Sequence, residues 1–205
     1  MSASIKEKPI LMSSPMVRAL LDARKTQTRR VVKSRGIWSV EHRGGGFERW
    51  PGAESDAGEW EWFRSPYGDV GDRLWVRETW VPSEEPENHR DAKDGFTYRA
   101  DWSMSDEQDY RDFNWRPSIF MPRTASRITL EVIGVRVERV QQITGVDANC
   151  EGLESRDAFE LLWRVINGKR PGCSWDDNPW VWVIEFRRVE DQAHGGATHG
   201  SNALA

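Results

Sequence analysis

The 205-residue chain predicts an α+β domain, a small curved sheet or barrel of short strands with helices alongside. Three observations predict it. Ile128, Leu130 and Val132 alternate with Thr129 and Glu131, and Val135 and Val137 carry the alternation past Gly134, so 126–140 reads as one long strand with a bulge at the glycine. Residues 179–189 alternate again, with Val181 and Val183 on one side and Trp182, Ile184 and Phe186 on the other. Between these strands the apolar spacing switches to a helical period twice.

In chain order, Ser14-Pro15 matches a helix N-cap followed by proline in the first turn. Met16, Val17, Leu20 and Leu21 form the apolar face of a helix expected to run to about Arg24. Residues 25–32 favour an extended chain, with Thr26, Thr28 and Arg30 on one face. Residues 36–68 are rich in glycine and tryptophan and read as an insertion, with a hairpin around Gly44-Gly45-Gly46. The turn Gly71-Asp72 leads into a strand expected from Arg73 to Val81. A polar loop follows from Pro82 to Asp94, a short strand from Phe96 to Asp101, an irregular stretch from Trp102 to Trp115, and an extended piece from Ser118 to Met121. Beyond the long strand, Thr144 to Glu151 reads as a short helix closed by Gly152. Ser155 caps a second helix, with Phe159, Leu162, Trp163 and Ile166 on one stripe, ending at Asn167-Gly168. The expected organisation is a flexible 1–7, one domain over 8–189 with insertions at about 36–70 and 82–117, and a disordered tail over 190–205.

Composition excludes several classes. No window approaches the roughly 18 apolar residues of a membrane span, and the N-terminus lacks the pattern of a secretory signal. Cys150 and Cys173 alone make no disulfide framework, so a cytoplasmic location is expected. His42, His89, His194 and His199 have no ligand spacing with the cysteines, and no phosphate-binding loop or dinucleotide fingerprint is present. No metal and no cofactor is therefore expected, no membrane partner is implied, and the oligomeric state is left open. The acid pairs Glu84-Glu85 and Asp176-Asp177 read as loop solvation, with a carboxylate metal site for nuclease work as the other possibility.

Two features point to a ligand. The stretch from Val17 to Arg35 holds seven basic residues and one acid, hence +6 on a chain of net charge −4, which suits a phosphate-bearing partner or else a solvated charged face. Twelve tryptophans against three tyrosines suit rings stacked on bases, or else indoles that plug the core and the insertions.

Three segments together resemble the ASCH domain family, a branch of the PUA-like β-barrels. The first, Ala23-Arg24-Lys25-Thr26-Gln27-Thr28-Arg29-Arg30, is similar to the family's G-x-K-T-x-T-x-R signature, with Ala23 where glycine is usual. The second is Gly71-Asp72-Arg73-Leu74, and the third is the closing strand Trp182-Val183-Ile184-Glu185-Phe186. The stretch from Gly71 to Trp80, taken with Asn178-Pro179-Trp180-Val181-Trp182, looks like the members carried by phages and prophages. The resemblance covers most of 8–189. It implies a PUA-like barrel and a nucleoside or nucleic-acid partner, RNA or single-stranded DNA. Members similar to this chain include a small N4-acetylcytidine amidohydrolase, whose lysine, threonine and glutamate map by motif onto Lys25, Thr28 and Glu151 as catalytic residues. Arg24, Thr26, Arg29, Arg30, Trp75 and Arg77 are the expected ligand-binding residues.

The chemistry is coherent on its own terms. A threonine hydroxyl needs a neighbour to take its proton, and a lysine can do so when burial or nearby cations lower its pKa. Arg24, Arg29 and Arg30 are close enough in sequence to press on Lys25. A glutamate can activate water or accept the exocyclic N–H of cytosine. Each residue also has a plain structural role open to it: Thr28 as a strand former, Lys25 as a cation at a helix C-terminus, Glu151 as a solvated last-turn residue. Besides an N4-acylcytosine hydrolase, the sequence therefore leaves open a non-catalytic RNA or single-stranded DNA binding module and a metal-dependent ribonuclease.

Overall fold

The computed structural model describes residues 4–33, 39–43, 46–50, 61–83, 95–102 and 114–189, with only the backbone at 39–43, 46–50 and 61–63. Its fold is α+β. The main sheet has five strands: β1 (Glu7–Leu11), β2 (Gln27–Val31), β6 (Arg73–Arg77), β9 (Thr129–Arg139) and β10 (Trp180–Arg188). Their spatial order is β1-β6-β9-β10-β2, with β1 and β6 parallel and every other pair antiparallel. Among the described residues the sheet is open, with β1 and β2 as its edges. In the first insertion β3 (Ser39–Arg43), β4 (Gly46–Trp50) and β5 (Glu61–Phe63) form a separate meander, and β3 and β4 pair as the expected hairpin, whose Gly44 and Gly45 lie outside the described residues. β7 (Trp80–Pro82) and β8 (Phe96–Tyr98) form a third, two-stranded ribbon. The expected loop and tail at 84–94, 103–113 and 190–205 also lie outside the described residues.

β10 is packed on both of its faces because both are apolar. Trp182, Ile184 and Phe186 pack with Leu74, Leu130, Val132 and with Val17 and Leu20 of helix α1 (Ser14–Leu21). Val181 and Val183 pack on the opposite side with Val140, Ile143, Ala148, Phe159, Trp163 and Trp175. That second layer is carried by α2 (Gly145–Cys150) and α3 (Arg156–Asn167). Both helices begin where their caps predict. Thr144 Oγ1 accepts the Asp147 N–H while the Asp147 carboxylate accepts the Thr144 N–H, and Ser155 Oγ accepts the Ala158 N–H. The expected bulge is also present: Glu185 pairs with Gly134 and Phe186 with Val132, so Ile133 is the extra residue. A Cβ on Gly134 would lie 2.6 Å from Glu185 Oε2, and the glycine is what lets that carboxylate cross the strand.

Four expectations are corrected. α1 stops at Leu21, three residues short of Arg24, because Ala23 turns left-handed at φ 56°, and its N-cap is Ser13. The strand expected from Arg73 to Val81 is two strands, broken where Glu78 turns into the interior to meet Arg127. Ser118–Phe120 is a turn of 3-10 helix rather than extended chain, its carbonyls at Ile119 and Met121 gripped by the Arg77 guanidinium. On α3 the buried stripe is Phe159, Trp163 and Asn167, leaving Ile166 60% exposed, because the Asn167 amide holds the turn that follows the helix.

Candidate functional site

The site is assembled by backbone before side chains enter. Lys25 and Glu151 face each other as an isolated antiparallel bridge, and the Thr26 N–H donates to the Cys150 carbonyl at 2.8 Å. This joins the entry of β2 to the end of α2. Gly152 makes the approach possible: its φ is +85°, and a Cβ there would stand 2.7 Å from Ala19 Cβ and 3.3 Å from Lys25 Cβ.

Lys25 and Glu151 are buried together, with side chains 1% and 6% exposed. Lys25 Nζ donates to Glu151 Oε2 at 2.8 Å, to the Glu151 carbonyl at 2.9 Å and to the Gln27 carbonyl at 2.8 Å. The second carboxylate oxygen, Glu151 Oε1, accepts from Arg29 Nη1 at 3.2 Å. Arg29 also grips Glu138 Oε1, through Nη2 at 2.6 Å and Nε at 3.1 Å, and stands over the Phe159 ring at 5.8 Å. Arg136 extends the network to Glu138 Oε2 at 3.0 Å, to Asp147 Oδ1 at 3.1 Å and to Glu185. The strand register explains the assembly. Val183 pairs with Arg29 on one side and Arg136 on the other, so both arginines share the face that α2 and α3 cover.

Burial is the largest influence on Lys25 and holds its ammonium below the ordinary value; Glu151 opposes this, while Arg30 and Arg29 add to it. For Asp147, burial alone would raise the pKa. Hydrogen bonds from Thr144 and Gln27 and the charge of Arg29 outweigh it and hold the carboxyl well below the usual range.

A cavity of about 380 Å³ opens at the edge strand β2, in the gap between β1 and β2. Lys25, Thr28, Arg29, Arg30 and Glu151 all line it. The opposite walls come from Leu11 to Ser13 and Met16 at the start of α1, and from Phe159, Trp163, Asn167 and Arg170 at α3. That volume is in the range of small-ligand sites. The cavity wraps around β2, taking side chains from both faces. Thr28 pairs with Ile184 and lies on the α1 side, while Arg29 pairs with Val183 on the α3 side. Thr28 Oγ1 accepts from Arg30 Nη1 at 2.9 Å, and no hydrogen bond joins it to Lys25 or Glu151.

The structure does not bring four of the expected ligand residues to this cavity. Arg24 is exposed and holds the Gly152 carbonyl and Asp22. Thr26 is exposed ahead of β2, so it does not continue the face shared by Thr28 and Arg30. Trp75 and Arg77 lie on β6, stacked on each other at 5.2 Å, with Arg77 spent on the carbonyls of the 118–121 turn. Of the indoles, Trp163 reaches the cavity wall with its N–H bound to the Cys173 carbonyl, while Trp175 and Trp182 are core. The side chains of Trp38, Trp50, Trp60 and Trp62 lie outside the described residues. The Gly71-Asp72 motif is a structural turn, in which the Asp72 carboxylate accepts the N–H groups of Lys6 and Asp69. Asp176 pairs with Arg164 and Asp177 caps the turn at Ser174, and among the described residues no group of three or more His, Cys, Asp or Glu is placed to hold a metal ion.

Sequence reasoning missed Glu138, Arg136, Asp147, Asn167 and Arg170. The alternation of Arg136 and Glu138 with Val135 and Val137 was the available signal for the first two, since a charged face on a central strand needs buried partners. No family model, no curated protein and no solved structure matches the chain. Among the described residues no helix is long and apolar enough to cross a membrane.

Proposed function

We propose that the cavity is a nucleobase site and that the chain hydrolyses an N4-acylated cytosine nucleoside on a PUA-like scaffold. The observation that carries this reading is the buried Lys25–Glu151 pair at 2.8 Å, set in the wall of a cavity that also takes Thr28. The scaffold is supported by the seam between the sheet's edges, where Arg30 Nη2 on β2 donates to the Leu11 carbonyl on β1 at 2.8 Å. The free thiols Cys150 and Cys173 fit the reducing cytoplasm in which we place the protein.

The chemistry runs as acyl transfer. Lys25 passes a proton to Glu151 Oε2, a transfer that burial of the ammonium favours. The amine formed takes the Thr28 hydroxyl proton as the threonine oxygen bonds to the acyl carbon and the carbonyl π pair moves onto the acyl oxygen. The C–N4 bond breaks, with the proton on Lys25 going to the departing amine. Water then cleaves the threonine ester by the same relay, giving the carboxylic acid and cytidine. The test is incubation of the full chain with N4-acetylcytidine while acetate and cytidine are followed. Turnover is expected, with a loss of at least about a hundredfold in Thr28→Ala and in Glu151→Gln.

A second reading, binding of RNA or single-stranded DNA without turnover, has its own observation. Lys25 gives all three ammonium protons to acceptors at 2.8–2.9 Å, and Thr28 is bound to Arg30 rather than to Lys25. Binding of N4-acetylcytidine with no acetate released would select this reading. Its affinity for oligonucleotides would then fall steeply with salt. Failure to bind either ligand would sink both.

A further inference from the structure

Two cations of the cavity wall have only neutral partners among the described residues. Arg30 donates to Thr28 Oγ1 at 2.9 Å, to the Arg29 carbonyl at 3.1 Å and to the Leu11 carbonyl at 2.8 Å, and touches Met12 Sδ at 3.7 Å. Arg170 donates through Nη1 to Asn167 Oδ1 at 2.9 Å. The other arginine of the cavity wall, Arg29, is matched by Glu138 and Glu151. Asn167 is itself 6% exposed, so Arg170 projects from a fixed platform rather than from a free loop. Both guanidinium groups line the same cavity, and both act on the phenol of Tyr67. Burial lifts its phenol above the ordinary value, while Arg30 and Arg170 both pull it down. Two guanidinium groups without an acidic partner therefore border one cavity that, among the described residues, holds a single carboxylate, already shared by Lys25 and Arg29. A neutral nucleoside compensates neither charge. A phosphate supplies the anionic, multidentate acceptor that the planar guanidinium fork matches well.

Resting on the nucleobase reading above, we propose that the natural ligand is phosphorylated, its phosphate held by Arg30 and Arg170 while the base goes to the Lys25–Glu151 wall. The phosphate is either the monoester of a free nucleotide or the diester of a strand. The test is calorimetric titration of the full chain with cytidine, cytidine 5′-monophosphate, their N4-acetyl counterparts, and a short single-stranded oligonucleotide lacking terminal phosphates.

The monophosphate or the oligonucleotide is expected to bind tighter than the nucleoside by about tenfold or more. In Arg170→Ala that ratio falls toward one, and Arg170→Lys restores part of it. Arg170 is exposed, so a matching thermal melt separates lost recognition from lost fold. Preference for the monophosphate assigns the site to a monoester, and preference for the oligonucleotide assigns it to a diester; either supports the proposal. Nucleoside and phosphorylated forms that bind equally overturn the phosphate site and leave the nucleobase reading standing. If none of the probes binds, both fall.

Discussion

Two clusters of charge are buried among the described residues, and they differ in what they face. The first joins Lys25, Arg29, Glu151 and Glu138. The second joins Arg127 to Glu78, through Nε and Nη2 at 3.0 and 3.1 Å, and to Asp101 at 2.6 and 2.7 Å, with the guanidinium stacked on Tyr98 at 4.0 Å. Glu78 is as buried as Lys25, at 1% and 3% exposure. The second cluster ties three chain segments together: the end of β6, the turn at Arg99–Asp101, and the approach to β9. None of its members lines the cavity, whereas three members of the first do. Burial and pairing are thus common to both. What sets the first apart is a wall of the cavity and a lysine, a cation whose proton can move, where the second has a guanidinium that keeps its protons.

Removing one cation from each cluster gives the largest effects. Arg127→Met leaves two acids without a partner and is expected to cost about 4–5 kcal/mol in urea unfolding, with nucleoside binding retained. Lys25→Met is expected to cost about 3 kcal/mol, because Arg29 still holds Glu151, and to abolish turnover. Equal loss of ligand binding in the two variants would break the contrast.

The pH dependence of stability sharpens it, since the clusters titrate with opposite sign. Asp147, attached to the first, has its folded pKa below the ordinary 3.8. The stability it contributes is present above that pH and is lost as pH falls toward the folded value. Burial raises Glu78 above the ordinary 4.5, against the pull of Arg127 and with the help of Asp101. The native state then holds a proton that the unfolded chain has released, and stability falls as pH rises through that window. Asp147→Asn should flatten the acid slope and Glu78→Gln the opposite one; slopes of one sign would refute the distinction.

Backbone changes near the first cluster run from an effect comparable with that of Lys25→Met down to the smallest expected. Gly152→Ala adds a methyl against Ala19 at a left-handed position and should cost about 2–4 kcal/mol by thermal or chemical unfolding. Ala23→Gly relieves φ 56° and should gain only about 0.5 kcal/mol, because the glycine loses more freedom on folding. A gain of several kcal/mol would mean that Ala23 is strained beyond its backbone angle.

Much of the fold was legible because it is written in local spacing. The two-sided apolar pattern of β10, the bulge at Gly134, and the caps Thr144 and Ser155 each depend on residues a few positions apart. The break at Glu78 was not legible. It depends on Arg127, 49 residues on, and a local pattern of Leu74, Val76 and Trp80 carries no trace of that partner. The site divides the same way. Lys25, Thr28 and Glu151, singled out through motifs, line one cavity, whereas Trp75 and Arg77 lie away from it because their partners are each other and the carbonyls of a distant turn.

Strand alternation, helix caps and the alphabet of the lysine–threonine segment follow from neighbouring residues alone, and these already imply an α+β domain with one cationic ribbon. Which of its cations are spent and which remain available was decided only by packing. Glu138 and Glu151 stand 109 and 122 residues from Arg29 and neutralise it, while among the described residues Arg30 and Arg170 meet only amides, carbonyls, a hydroxyl and a thioether. The reason is physical: charge compensation in a desolvated interior acts over a few ångströms of space, whatever the separation along the chain.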